Sequence, residues 1–316
     1  MSYIREALHK IEESNSVITD ISLTSAQVKL AESDLLEDKQ KLREIIANKL
    51  KISVDDLPPL ITEGKQSLKQ FVNYYNKNIY PKYKGVIIDL MGIIGKGIGR
   101  GEILLSILHQ NITIGGGNSP YDITFGNDYA ELKEVIKSGD KLKNFRFGTL
   151  MKEALNHVYE DIVRYIKTMS SLNPKMFPPD QIKKSINKGE LTKWLTLAKN
   201  NEKNILTDKK FLDVEIDNLL NVYIDGEILG NIQRIDTINR LKQHFENTDT
   251  ITYSKIIKKV NDVIKKDKMP YIMIVGQKST KSEIGKIYYL ENLAPVEVEA
   301  VTQGKIKIYK PIDKIK

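Results

Sequence analysis

The sequence predicts an α+β protein: a mixed sheet core, with a helical region before it and a helical insertion within it. Three observations lead there. Apolar residues recur at helical spacing through 1–85 and 149–268. Short apolar or alternating runs, several bounded by Gly, Asn, Asp or Pro, lie in 86–148 and again in 269–316. The chain has 316 residues and is 41% apolar, enough for a real core in one large or two modest domains.

In chain order, residues 1–85 read as polar and mostly helical. Leu35, Leu42, Ile45, Ile46 and Leu50 share a helical stripe. Pro58 and Pro59 break the pattern, and a second helix with Leu68, Phe71, Val72 and Tyr75 runs towards Pro81. The region reads as a helical cap on the core, with an arm for a partner or for oligomerisation as the alternative. Val86 to Leu90 reads as a strand or a helix end. The glycine-rich run from Gly92 to Gly101 is not a P-loop, because Lys96 is followed by Gly97. Nor is it a dinucleotide fingerprint, because Arg100 stands where glycine is needed. It reads as a tight lead-in to a short helix bearing Glu102, with Lys96 and Arg100 placed to touch a phosphate. His109, seven residues beyond Glu102, falls on roughly the same helical stripe. Gly115-Gly116-Gly117 reads as a flexible loop leading to a hairpin.

The hairpin is the most informative segment. Tyr121 to Phe125 and Tyr129 to Val135 flank the turn residues Gly126, Asn127 and Asp128. If Gly126-Asn127 is a two-residue loop, glycine at its first position suits a type II′ turn. Phe125 then pairs with Asp128, and Asp122 lies directly opposite Glu131. If Asn127-Asp128 is the loop, Asp122 faces Lys133 instead; a three-residue loop without a bulge puts Asp122 on the other face. Glu131 and Lys133 share one face in every case. Ile123, Phe125, Ala130, Leu132 and Val135 supply an apolar backing. Three carboxylates converging on one spot, Glu102, Asp122 and Glu131, repel one another unless a cation sits between them. A hard, oxygen-seeking ion such as Mg²⁺ suits that position, which points to metal-assisted phosphodiester hydrolysis. The bland reading is a solvated strand face with Asp122 as a turn residue.

From Thr149 to about Lys268 helical periodicity dominates. Leu150, Leu155, Val158, Ile162 and Ile166 mark one helix; Leu191, Trp194, Leu195 and Leu197 mark another after Pro178-Pro179. Tyr271 to Val275, Lys286 to Leu290 and Lys305 to Tyr309 read as strands. Four segments follow: a helical region 1–85, a core 86–148, a helical insertion 149–268, and C-terminal strands 269–316 completing the core.

The formal charge of +8 points to an anionic partner. Residues 251–316 hold 14 Lys against 7 Asp and Glu, so most of the excess lies there. Lys255, Lys258, Lys259 and Lys266 fall along one side of a predicted helix, opposite Ile256, Val260 and Val263, where a phosphate backbone is expected to lie. Cysteine is absent, which excludes disulfides, thiolate zinc sites and cysteine nucleophiles. The N-terminus carries no basic-plus-apolar signal and no run approaches 18 apolar residues, so no membrane is expected. The expected setting is cytoplasmic, or a host cytoplasm or virion if the chain is viral.

The helix glutamate Glu102, the hairpin aspartate Asp122 after Pro120-Tyr121, and Glu131-Leu132-Lys133 resemble the site elements of the PD-(D/E)XK (restriction endonuclease-like) nuclease superfamily, phage-encoded members included. The likeness covers roughly residues 86–147, with two later strands as candidates to complete the sheet. Tyr121, standing between the proline and the aspartate, is a departure from the motif. The resemblance implies a restriction endonuclease-like core and a Mg²⁺-dependent DNA endonuclease, with Mn²⁺ as a substitute. Asp122 and Glu131 would bind the ion with the Leu132 carbonyl, and Glu102 would complete the shell or hold a second ion. Lys133 would orient the attacking water or stabilise the pentavalent charge, and Arg146 would clamp a neighbouring phosphate. Two other classes compete. One is a catalytically inactive nuclease-fold protein used for nucleic-acid binding or virion assembly. The other is a helical interaction protein with a small mixed cap.

Overall fold

A computed structural model describes residues 20–62, 67–115, 119, 121–147, 149–207, 251–302 and 304–315. His9, His244, Gly116, Gly117 and Pro120 lie outside the described residues, as does the side chain of Leu150. The protein is mixed α+β. It divides into two compact units, one formed by 1–146, 267–295 and 309–316, the other by 147–266 and 296–308.

The first unit begins with strand β1 (Ile21–Leu23), which pairs in parallel with β2 (Ile93–Gly95). Helix α1 (Ser25–Glu32) starts at Thr24, whose hydroxyl accepts from the Gln27 N–H while the Gln27 side chain accepts from the Thr24 N–H. Helix α2 (Leu36–Leu50) buries Leu42, Ile46 and Ala47. Of the predicted stripe, Leu35 is instead the exposed residue preceding the helix. Helix α3 (Leu68–Tyr74) is capped twice, by Ser67 and by the Asp128 carboxylate, which accepts from the Leu68 N–H at 3.0 Å.

The helical run towards Pro81 continues past it. A wide π turn over Tyr75–Ile79 leads directly into helix α4 (Tyr80–Leu90), where Pro81 occupies the first turn. Proline fits there because its fixed φ suits the first turn of a helix. Val86 to Leu90 is accordingly the end of a helix. Helix α5 (Arg100–Ser106) carries Glu102 and stops before His109. His109 is therefore not on Glu102's helical stripe.

His109 sits instead in an aromatic cluster, with ring centroids 5.6 Å from Phe71 and 4.6 Å from Phe125. Its Nδ1 accepts from the Asn111 N–H, while Nε2 is buried without a partner among the described residues. Burial, and then the charge on buried Lys39, lowers the pKa of His109 to about 4. The unfolded chain takes up a proton near pH 6.5 that the folded chain refuses until about pH 4, so stability falls as pH drops through that window. His109→Gln is expected to flatten the acid limb of a melting-temperature profile between those values. An unchanged limb would assign the acid loss to other groups.

Two buried cations brace the helical layer from inside. The Lys39 ammonium donates to the Ile112 carbonyl, and Arg43 donates to the Pro58 and Ile107 carbonyls at 2.7 and 2.9 Å. Ile107 is the residue that ends α5, so Arg43 satisfies a carbonyl the helix leaves open.

The sheet of this unit has β3 (Ile112–Ile114), β4 (Ile123–Phe125) and β5 (Asp128–Ser138) as antiparallel neighbours. Strand β7 (Tyr271–Val275) lies parallel to β5, and β8 (Ile287–Leu290) antiparallel to β7. Strand β6 (Lys141–Lys143) pairs with the end of β5 and with Tyr309–Pro311, the last part of β10 (Lys305–Pro311). Ile123, Phe125, Ala130, Leu132, Ile272 and Ile274 bury one face against the helical core. Gly101 allows α5 to lie flat on that face. A Cβ there would come within 2.7 Å of Ile274 and 2.9 Å of Leu132.

The second unit holds α6 (Thr149–Leu172), α7 (Pro179–Lys188), α8 (Thr192–Thr207), α9 (Tyr253–Lys265) and β9 (Glu297–Thr302), which pairs with β10. The helix expected after Pro178-Pro179 is two helices, broken where Gly189 takes a left-handed conformation at φ 67°. The buried seam of α9 is Ile256, Val260 and Ile264, with Asn261 bonded to the main chain of Val296. Val263, expected in that seam, lies at its half-buried rim. No helix among the described residues is long and apolar enough to cross a membrane.

Candidate active site

The turn that sets the site is Gly126-Asn127. Gly126 has φ 59° and Asn127 is not among the residues with positive φ, the combination of a type II′ turn. The register follows: Phe125 pairs with Asp128 and Ile123 with Ala130, so the next position places Asp122 opposite Glu131. The alternative with Asp122 facing Lys133 is not the one adopted.

Strand β5 then changes partners. It pairs with β4 over Asp128–Ala130 and with β6 over Ile136–Ser138. Glu131 turns its main chain the other way, its N–H donating to the Pro270 carbonyl beside β7. Main-chain groups alternate along a strand, so Leu132 and Glu134 point to the β4 side, into a notch with no neighbouring strand among the described residues. Asp122 fills part of that notch: its Oδ2 accepts from the Leu132 N–H at 2.8 Å. The Leu132 carbonyl lies on the same edge.

Lys133 stands beside both carboxylates. Its ammonium contacts Glu131 Oε1 directly and lies 3.6 Å from Asp122 Oδ2, with all three side chains partly accessible. Glu102 accepts from the Gly99 N–H at the start of its own helix. Burial raises the Glu102 pKa most; the Gly99 N–H opposes this, Asp122 raises it, Lys133 lowers it, and Glu131 raises it. Glu102 therefore stands within electrostatic reach of the other three. Among the described residues, no three His, Cys, Asp or Glu side chains stand close enough to hold a metal ion as placed. The physical reason is visible: Lys133 takes the place of a cation between Asp122 and Glu131, and Glu102 is folded back on its helix.

The other expected site residues are spread out. Lys96 is exposed in the turn before α5. Arg100 is not a free cation: it pairs with Asp20 at 2.8 Å and lies 4.0 Å from Glu134, with its Nε buried and without a partner among the described residues. Arg146 is exposed beyond β6. In the second unit Lys258 and Lys266 are exposed, while Lys259 is bound to Asp161. Tyr271, read from sequence only as the start of a strand, pairs in register with Glu131 and donates to Asp267. Burial, the Asp267 bond and charge, and then the Glu131 charge raise its pKa, so it remains a neutral donor. No local sequence signal marks it, because its place beside Glu131 comes from pairing across a long connection.

No family model, curated protein or solved structure matches the chain.

Proposed function

We propose that the protein is a metal-dependent deoxyribonuclease that hydrolyses phosphodiester bonds at the notch in β5. The observation that carries the reading is the junction of Asp122, Glu131 and Lys133, created by the Phe125–Asp128 register. The addition of β7 and β8 to the hairpin, with α5 laid on the sheet, agrees with a restriction endonuclease-like core.

The donor set is all oxygen, which fits Mg²⁺ or Mn²⁺. Asp122 and Glu131 would hold the ion with the Leu132 carbonyl, and Glu102 would extend the set from α5. When bound, such an ion polarises the phosphate and acidifies a coordinated water. Lys133 presents its ammonium to the phosphate and stabilises the charge that develops on its oxygens. The Leu132 N–H fixes the Asp122 carboxylate, so its orientation does not depend on a mobile side chain. Lys96 and Arg146 would hold the DNA backbone near the site, and Arg100 would do so on leaving Asp20.

Supercoiled plasmid incubated with Mg²⁺, Mn²⁺ or EDTA tests the function. Relaxation or linearisation with either metal and none with EDTA is the expected result; intact plasmid in every tube would contradict it. The second reading, an inactive nuclease-fold protein that binds nucleic acid or joins a virion assembly, is favoured by the pairing of Lys133 with both carboxylates. Intact plasmid together with salt-dependent DNA binding would select it.

The lysines of α9 yield a separate expectation. Neutralising Lys258, Lys259 and Lys266 should weaken DNA binding and reduce the slope of log K against log salt by roughly 0.9 for each phosphate no longer held by an ammonium. Lys259 is expected to contribute least, since Asp161 already neutralises it. An unchanged slope would make this face a merely solvated one.

A further inference from the structure

Beside the carboxylates lies an aromatic pair that neither the hydrolytic chemistry nor the core uses. Tyr129 is on β5 two residues before Glu131, on the same face as Glu131 and Lys133. It is 46% exposed. Tyr121 stacks against it, with ring centroids 5.0 Å apart and planes 22° from parallel. Tyr121 adjoins Asp122 in the chain, as Tyr129 stands two residues from Glu131.

We propose that Tyr121 and Tyr129 form a stacking platform for an unpaired nucleobase, and that the site takes single-stranded or locally unpaired DNA. Three features support this. Aromatic faces take any base, because every base has a π-face. Two residues along a strand span about 6.6 Å, so a base on Tyr129 leaves its own phosphate near Glu131 and Lys133. The pair is held by its own stacking and by the pairing of Thr124 with Tyr129, so the platform exists before a ligand arrives. A paired base offers its face only to its neighbours in the stack, so duplex DNA cannot use the platform without local opening.

The inference rests on the nuclease reading for the placement of the phosphate, but its test does not require cleavage. The full chain is titrated in EDTA with a labelled deoxythymidine oligonucleotide and, separately, with a mixed-sequence duplex. The wild type is expected to bind the single strand more tightly. Tyr129→Leu keeps apolar bulk without a π-face and should weaken single-strand binding roughly tenfold, the loss of one base–aromatic stack, with duplex binding unchanged. Tyr129→Phe should bind as the wild type does, and Tyr121→Leu should behave like Tyr129→Leu. Unchanged single-strand affinity in Tyr129→Leu, or an equal loss on duplex, overturns the platform. Plasmid cleavage with no effect of Tyr129→Leu on binding would leave the nuclease standing and remove the platform. A stacking loss with no cleavage under any metal would do the reverse.

Discussion

Glu131→Gln is expected to abolish metal-dependent plasmid cleavage, by at least about a hundredfold, while leaving the protein folded. The substitution removes one negative charge from the notch and keeps the shape of the side chain. Its structural cost is small, because the Glu131–Lys133 pair is partly accessible and such pairs contribute about 0–1 kcal/mol. Removing a carboxylate relieves like-charge repulsion only where no cation already stands beside it. Lys133 already offsets one of the two negative charges of Asp122 and Glu131, so the change in metal-free stability should be slight in either direction. Asp122→Asn should have the same effect on cleavage and is a cleaner variant than Asp122→Ala. Asparagine keeps an acceptor for the Leu132 N–H, whereas alanine leaves that donor without its partner. Full activity of Glu131→Gln in a gel assay of plasmid conversion would remove this residue from the chemistry.

The largest expected effect on stability belongs to Phe71→Ala. Phe71 is fully buried and stacks on Phe125 at 5.8 Å and edge-on against His109 at 5.6 Å. It therefore ties α3 to β4, the strand that leads to Asp122. Emptying a site of this size costs about 3–5 kcal/mol, a large share of a typical total of about 5–15 kcal/mol. Urea denaturation should show a lower midpoint with a similar slope. The variant should also admit water to His109 and raise its pKa towards 6.5, narrowing the acid window in which stability is lost. A loss below about 1 kcal/mol would mean that the ring is not part of a packed core.

The two strands of the hairpin are legible in the sequence, whereas its register is open among three loops, of which the structure adopts Gly126-Asn127. Glycine at the first loop position admits the φ of a type II′ turn, and that turn fixes every pair from Phe125–Asp128 outward. Strand β7 was legible for a related reason: Tyr271 to Val275 is a continuous apolar run after Pro270, as expected of a strand buried on both faces. Much else depends on partners distant in sequence. Strands β1, β2 and β3 are three residues each, too short to display a period. The end of α5 at Ser106 carries neither glycine nor proline, so His109 could be placed only by its burial against Phe71 and Phe125. The capture of Asp122 by the Leu132 N–H arises from the gap between β4 and β6, which no local pattern announces. The engagement of Arg100 by Asp20 joins residues eighty apart.

Direct Mn²⁺ binding tests the central claim most closely. Free Mn²⁺ can be followed by its electron paramagnetic resonance amplitude as it is titrated into the metal-free chain. Wild type is expected to take up Mn²⁺ at the notch, Lys133→Ala to retain that uptake, and Asp122→Asn and Glu131→Gln to lose it. Equal uptake by wild type and by a protein carrying both Asp122→Asn and Glu131→Gln, or no uptake at millimolar Mn²⁺, would contradict the account.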